Sequence, residues 1–242
     1  MRILQITDLH LGLEGEDTNG VDVRANFDKI LKEVPEHQPD HIVISGDLCF
    51  SDGDPNIYSW IKEKLDHLTI PYDLISGNHD NPSMIAKTFA YNGRLKEGEL
   101  YYTNVIEGEL IIFLDTTTGV VSKKQLNWLK DQLAQHQKEL IIFMHHPPLI
   151  GGVPFMDTKH YLKNMDEVQV ILTAHPYNLT IFTGHYHVEK TIRYKNLEVN
   201  ITPSCFFQID QQSSEFKVDH YRVGFRKIEL ENKMLRHSVC YI

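Results

Sequence analysis

Five short apolar runs set the strongest limit on how this chain can fold: Ile3–Thr7, Ile42–Ser45, Tyr72–Ser76, Leu140–Met144 and Thr180–Thr183. Each is too short for a helix, rich in branched aliphatic residues, and bounded by Gly, Pro, Asp or His, the pattern of a strand covered on both faces. Between them lie stretches of helical period over Val21–Val34, Ile57–Leu68 and Lys123–Gln137. In the last of these, Leu126, Leu129 and Leu133 share one face. Ser122 and Gln125 form a capping-box pattern at its start. Strand alternating with helix predicts an α/β fold with covered sheets. Three antiparallel pairs interrupt the alternation: Leu100–Val105 with Leu110–Asp115, Val188–Tyr194 with Leu197–Thr202, and Tyr221–Glu229 with Met234–Cys240. The mixture predicts two packed sheets with helices outside. No repeat or Pro/Gly-rich linker divides the chain, so residues 1–242 are read as a single domain.

Composition narrows the function. Cys49, Cys205 and Cys240 form no CxxC pair, which argues against a zinc ribbon or a disulfide framework and fits a reducing, cytoplasmic setting. The 33 acidic against 24 basic residues give a net charge of −9, which disfavours nucleic acid as a main partner. No stretch approaches the ~20 apolar residues of a membrane span. Met1–Asp8 reaches a charge before any useful apolar core, so no secretion signal is expected.

The residues at the end of each strand-like run are more informative. The first run ends in Asp8-Leu9-His10 and the second in Gly46-Asp47. The third ends in Gly77-Asn78-His79-Asp80, the fourth in His145-His146-Pro147-Pro148, and the fifth in Gly184-His185-Tyr186-His187. Ligands of open α/β sheets bind beyond the carboxyl ends of strands, so five such ends would gather these groups around one point. Imidazole and carboxylate without thiolate suit Mn²⁺, Fe²⁺ or Zn²⁺ in a reactive rather than a structural site. Asp-x-His and His-x-His place side chains two apart, on one side of an extended chain. Eight groups exceed what one such ion accepts but can serve two, with Asp47 having two oxygens for a bridge. A lone Asp-x-His or Gly-Asp is commonplace; the weight lies in five motifs, in order, each after a strand. The histidines outside these motifs, His37, His41, His67, His136, His160, His175, His220 and His237, are read as solvated or core residues.

In these motifs the sequence resembles the calcineurin-like metallophosphoesterases, whose pattern is D-x-H, G-D, G-N-H-D/E, H and G-H-x-H. It is most similar to their bacterial class III cyclic-nucleotide phosphodiesterases and glycerophosphodiesterases, through Ile3–Asp8, His145–Pro148 and Thr202-Pro203-Ser204. The resemblance implies a four-layer αββα sandwich, two mixed sheets flanked by helices, with a site for two divalent ions at one end. Asp8, His10, Asp47 and His187 would hold one ion, and Asp47, Asn78, His145 and His185 the other. Mn²⁺ or Fe²⁺ is favoured, with Zn²⁺ an option. His79 would face the scissile phosphate while a metal-bridging hydroxide attacks phosphorus. Asp80 would either orient His79 or stabilise its own turn. His146 would touch substrate or support a ligand from behind, and Tyr186, Phe50 and Phe155 are candidate substrate contacts.

A phosphomonoester dianion usually needs extra cations. Here Ser76 stands where protein phosphatases of the superfamily carry Arg, and Leu149–Met156 holds no positive charge. A small phosphodiester is therefore the expected substrate, 3′,5′-cyclic AMP foremost. A glycerophosphodiester, a broad phosphomonoesterase activity, or a non-catalytic scaffold are the alternatives. The oligomeric state stays open, a homodimer included.

Overall fold

A computed structural model of the chain describes residues 1–91 and 93–242. In chain order it forms β1 (Arg2–Ile6), α1 (Val23–His37), β2 (His41–Ser45), α2 (Pro55–His67) and β3 (Tyr72–Ile75). Next come α3 (Pro82–Thr88), the small pair β4 (Leu95–Lys96) and β5 (Glu99–Leu100), β6 (Tyr102–Ile106) and β7 (Glu109–Leu114). Beyond α4 (Lys123–Gln135) lie β8 (Leu140–Met144), α5 (Pro154–Lys159), α6 (Met165–Thr173) and β9 (Leu179–Thr183). The remainder is β10 (Lys190–Tyr194), β11 (Leu197–Ile201), the short pair β12 (Gln208–Ile209) and β13 (Val218–His220), then β14 (Gly224–Glu231) and β15 (Met234–Tyr241).

Two mixed sheets result. One runs β15-β14-β1-β2-β3, with β1, β2 and β3 parallel; the other runs β10-β11-β9-β8-β7-β6, with β7, β8, β9 and β11 parallel. Every residue of β2 and of β8 is buried, as strands covered on both faces require. This is the four-layer arrangement the sequence implied.

The sheets face each other across an aromatic layer. Tyr102, Phe113, Phe143 and Phe182 stack along β6, β7, β8 and β9 with ring centroids 4.7, 5.5 and 5.5 Å apart. Polar bolts cross the layer beside them. The Gln5 carboxamide of β1 donates to the Thr183 carbonyl at 3.1 Å and accepts from Thr202 Oγ1 at 2.6 Å. Arg226 of β14, also buried, donates to the Ile201 carbonyl and to Thr202. A second apolar cluster lies on the outer face of the β7-β8-β9 sheet, where α4 and α6 set Leu126, Leu129, Leu133, Val168 and Leu172 against Ile112, Ile142 and Ile181. Among the described residues no helix is long and apolar enough to cross a membrane.

One local expectation changes. Ser122 does cap α4, accepting from the Gln125 N–H at 3.2 Å, but the Gln125 side chain does not reach back. Its buried carboxamide instead bonds both the N–H and the carbonyl of Asp115, tying α4 to the end of β7. Two buried backbone groups at a strand end outweigh a cap that water can serve.

Candidate metal centre

The loops leaving β1, β2, β3, β8 and β9 all emerge from the carboxyl ends of parallel strands, and they interlock. Asp8 N–H bonds the Gly46 carbonyl at 3.0 Å, His10 N–H the Asp47 carbonyl at 3.0 Å, and Gly184 N–H the His145 carbonyl at 3.1 Å. The chain is not extended here, contrary to the reading from spacing. Asp8, His10, Asp47, His185 and His187 have φ of 54°, 45°, 51°, 67° and 51°, in the left-handed region. Each such residue costs roughly 1–2 kcal/mol. Five in one place are held only because the interlocked loops dictate them. Two glycines permit the close approach. A Cβ at Gly77 would fall on the Asp47 carboxylate and lie 2.8 Å from His145 Nε2, and one at Gly184 would fall on Thr7 and Asp8.

The side chains converge in overlapping sets. Donor atoms of Asp8, His10 and His187 lie within 4.8 Å of one another, as do those of Asp47, His145 and His185, and those of His10, Asp47 and His79. His10 Nε2 is 3.0 Å from His187 Nε2 and 3.7 Å from Asp47 Oδ2. Asp8 Oδ1 is 3.3 Å from His187 Nε2 and 3.8 Å from His145 Nε2, which is itself 3.2 Å from Asp47 Oδ2. Asp47 thus stands between two clusters. Asn78, the ligand expected from the third loop, is exposed.

The hydrogen bonds around these groups fit metal ligands. His145 Nδ1 donates to the Ser45 carbonyl at 2.9 Å, His187 Nδ1 to Phe207 at 3.0 Å, and His185 Nε2 to His160 at 2.7 Å. Fixing one ring nitrogen as donor to a carbonyl leaves the other as a lone pair for a cation. His145 Nε2 is buried and, although 3.2 Å from Asp47 Oδ2, makes no well-aligned hydrogen bond, a position that an ion would satisfy. Buried carboxylates ordinarily pair with Arg or Lys. Among the described residues the only ion-pair partners of Asp8 and Asp47 are histidines.

Protonation obeys the same logic. Burial drives the pKa of His10 and of His185 down to about 3, so both rings are neutral donors near pH 7. For His145 burial acts downward too, but the Asp47 carboxylate, with Asp8, overcomes it and holds the pKa up at about 9. Asp8 is the counterpart: burial raises it, but His187 and His145 bring it down to about 2. In the bare protein a proton on His145 supplies part of the charge that the two carboxylates demand.

His79 faces this cluster from the third loop. Its ring lies edge-on to His10 at 5.0 Å, its N–H donates to Asp47 Oδ1 at 2.9 Å, and its Nδ1 is 2.9 Å from the Ser51 carbonyl. Asp80 does not orient it. The Asp80 carboxylate is turned inward, accepting from the N–H groups of Gly77, Leu48 and Cys49 and from the Tyr58 hydroxyl. It clamps the second loop to the third, the turn-stabilising role. Three backbone donors with no other acceptor outcompete one solvent-facing imidazole.

Two expected substrate contacts move away from the site's surface. His146 is buried with Nδ1 2.9 Å from Thr116 Oγ1 and its ring 3.9 Å from that of His185. Tyr186 is wholly buried, its ring against Gly151, because the left-handed residues on either side turn it into the core. Phe155, half-buried on α5, keeps its place near the cluster, its ring 5.1 Å from His160. Spacing gave no sign of Phe206 and Phe207, on the loop after β11. Phe206 lies 5.2 Å from His10, and Phe207 lies 5.1 Å from His187 while its carbonyl holds that ring. The carbonyls of Ser45, Ser51 and His160 have no sequence signature at all.

A sheet sandwich with paired carboxylate–imidazole clusters at the ends of parallel strands defines a metal-dependent hydrolase scaffold. The family described as calcineurin-like phosphoesterase matches residues 1–189, and the chain belongs to that family. A protein of Fibrobacter succinogenes named a probable cyclic nucleotide phosphodiesterase is 34% identical over 241 residues, covering 100% of this chain and 94% of that protein. The 3′,5′-cyclic adenosine monophosphate phosphodiesterase CpdA of Escherichia coli is 31% identical over 242 residues, covering 95% of this chain and 85% of its own. Among solved structures, a dimetal phosphatase from Danio rerio superposes with a TM-score of 0.69 at 14% identity, covering 100% of this chain and 98% of that one, a likeness of fold.

Proposed function

We propose that this chain is a phosphodiesterase that hydrolyses 3′,5′-cyclic nucleotides at a centre of two divalent ions. Asp8, His10, Asp47 and His187 would hold one ion and Asp47, Asn78, His145 and His185 the other, with Mn²⁺ or Fe²⁺ the favoured metals. The observation that carries the reading is the pair of donor clusters meeting at Asp47. The names of the relatives in Fibrobacter and Escherichia support the substrate class. Bound there, two divalent ions supply an acidified water and positive charge for the phosphoryl oxygens.

The chain's own groups do the rest. Ser45, Phe207 and His160 hold three imidazoles in the tautomer that presents a lone pair inward. His79, donating from Nδ1 to the Ser51 carbonyl, would act in its doubly protonated form, giving the Nε2 proton to the leaving oxygen as the P–O bond breaks and keeping the Nδ1–H. Ser76, in the position where a monoesterase would place Arg, is spent on Asp115 and Thr117, so no guanidinium meets a second phosphate charge from there. That favours the singly charged diester. We further propose that the 242 residues act as one catalytic domain, in the cytoplasm.

The test is hydrolysis by Mn²⁺-loaded protein of 3′,5′-cyclic AMP, 2′,3′-cyclic AMP, glycerophosphocholine and 5′-AMP. The highest kcat/KM is expected for 3′,5′-cyclic AMP, with loss of turnover on chelation. Preference for 5′-AMP, or turnover insensitive to chelator, would overturn the assignment.

A further inference from the structure

The rings around the cluster form a continuous arc whose two ends rest on ligand candidates for different ions. Phe207 meets His187 at 5.1 Å and Phe216 at 5.6 Å; Phe216 meets Phe155 at 5.7 Å; Phe155 meets His160 at 5.1 Å, and His160 meets His185 at 6.4 Å. Phe216 sits at mid-arc on the loop between β12 and β13 and is 53% exposed. A lone exposed Phe on a surface needs no explanation, but this one is held in place. Its neighbour Glu215 pairs with Lys159 of α5 at 3.1 Å, which sets the loop beside α5. A half-exposed ring in contact with Phe155 and Phe207, and two ring contacts from His187, has apolar area left for a flat group to cover.

We propose that Phe216 is the specificity-determining residue of this centre, stacking the nucleobase of the substrate; this rests on the cyclic-nucleotide reading above. A quaternary ammonium, as in glycerophosphocholine, is the other group that aromatic rings attract, and its capture by Phe216 is the competing outcome of the test below. Stacking of one base on an aromatic ring is worth roughly 1–3 kcal/mol, or about 5- to 150-fold in affinity.

The experiment measures binding rather than turnover. The base contribution is the ratio of Kd for ribose 5-phosphate to Kd for 5′-AMP, obtained by calorimetry on Mn²⁺-loaded full-length protein, with phosphocholine titrated alongside. Wild type is expected to prefer 5′-AMP by at least about fivefold. Phe216→Ala collapses that ratio toward one, Phe216→Tyr retains it, and Tyr194→Ala, an exposed ring on β10, leaves it as in wild type. A ratio unchanged in Phe216→Ala, or an effect on phosphocholine in place of 5′-AMP, overturns the proposal. The same preparations are assayed with 3′,5′-cyclic AMP. Turnover with a wild-type ratio near one refutes the stacking role alone, whereas no turnover and no preference refutes the functional reading with it.

Discussion

His145 makes the affinity of the bare protein for metal a function of pH in a way that can be worked out. Its pKa is held at about 9 by Asp47 and Asp8 against the opposing effect of burial, whereas an unfolded histidine titrates near 6.5. The folded protein therefore binds that proton more tightly than the unfolded chain. The resulting stabilisation is complete below about pH 6.5 and is lost as pH rises through about 9; the difference amounts to on the order of 3 kcal/mol. A divalent ion must displace the same proton from Nε2, so binding should be about 100-fold weaker at pH 7 than above pH 9. Asp80, raised to about 7 by burial and then Asp47, loses most of its contribution between about pH 4 and 7, and its tail adds about 1 kcal/mol or less to the fall above pH 6.5. Mn²⁺ titration of the metal-free protein at pH 8, in two buffers of different ionisation enthalpy, should show release of close to one proton per chain. The melting temperature of the metal-free protein should fall by roughly 10 °C between pH 6.5 and 9 while that of the loaded protein does not. His145→Gln should abolish the proton release. Binding with no proton release at pH 8 would refute the assignment of a protonated His145 to the bare site.

Other substitutions separate the roles of neighbouring residues. His79→Ala should lower diesterase kcat by about 10²–10⁴-fold with metal content near normal by elemental analysis; parallel loss of metal and activity would make His79 a ligand. Asp80→Ala removes the acceptor of three buried backbone N–H groups and should cost on the order of 3 kcal/mol in urea denaturation. Stability equal to that of His79→Ala would refute the clamp. Ser122→Ala, at the cap of α4, should lower stability by about 1 kcal/mol and leave turnover unchanged.

Much of this architecture was legible from local pattern, because the strands that carry the site are short, apolar and wholly buried. Ile42–Ser45 and Leu140–Met144 admit no other reading at their length, and both are strands. The motif residues Asp8, His10, Asp47, His145, His185 and His187 come together because the loops after five parallel strands share one end of the sandwich. Orientation was another matter. Extended geometry predicted that alternate residues face one way; His185 and His187 do share the site, but through left-handed φ at both, with Tyr186 between them in the core. Asp80 next to His79 in sequence says nothing of the three N–H groups that claim it in space. Phe207 lies 20 residues beyond His187, and what it offers that ring is a carbonyl, which every residue has.

The central claim is that Asp47 joins two ions. Anomalous diffraction from a crystal of the Mn²⁺-loaded protein measures this directly. Two peaks are predicted, one on each side of the Asp47 carboxylate, the first ringed by Asp8, His10 and His187 and the second by Asn78, His145 and His185. A single peak, or peaks remote from Asp47, would contradict it.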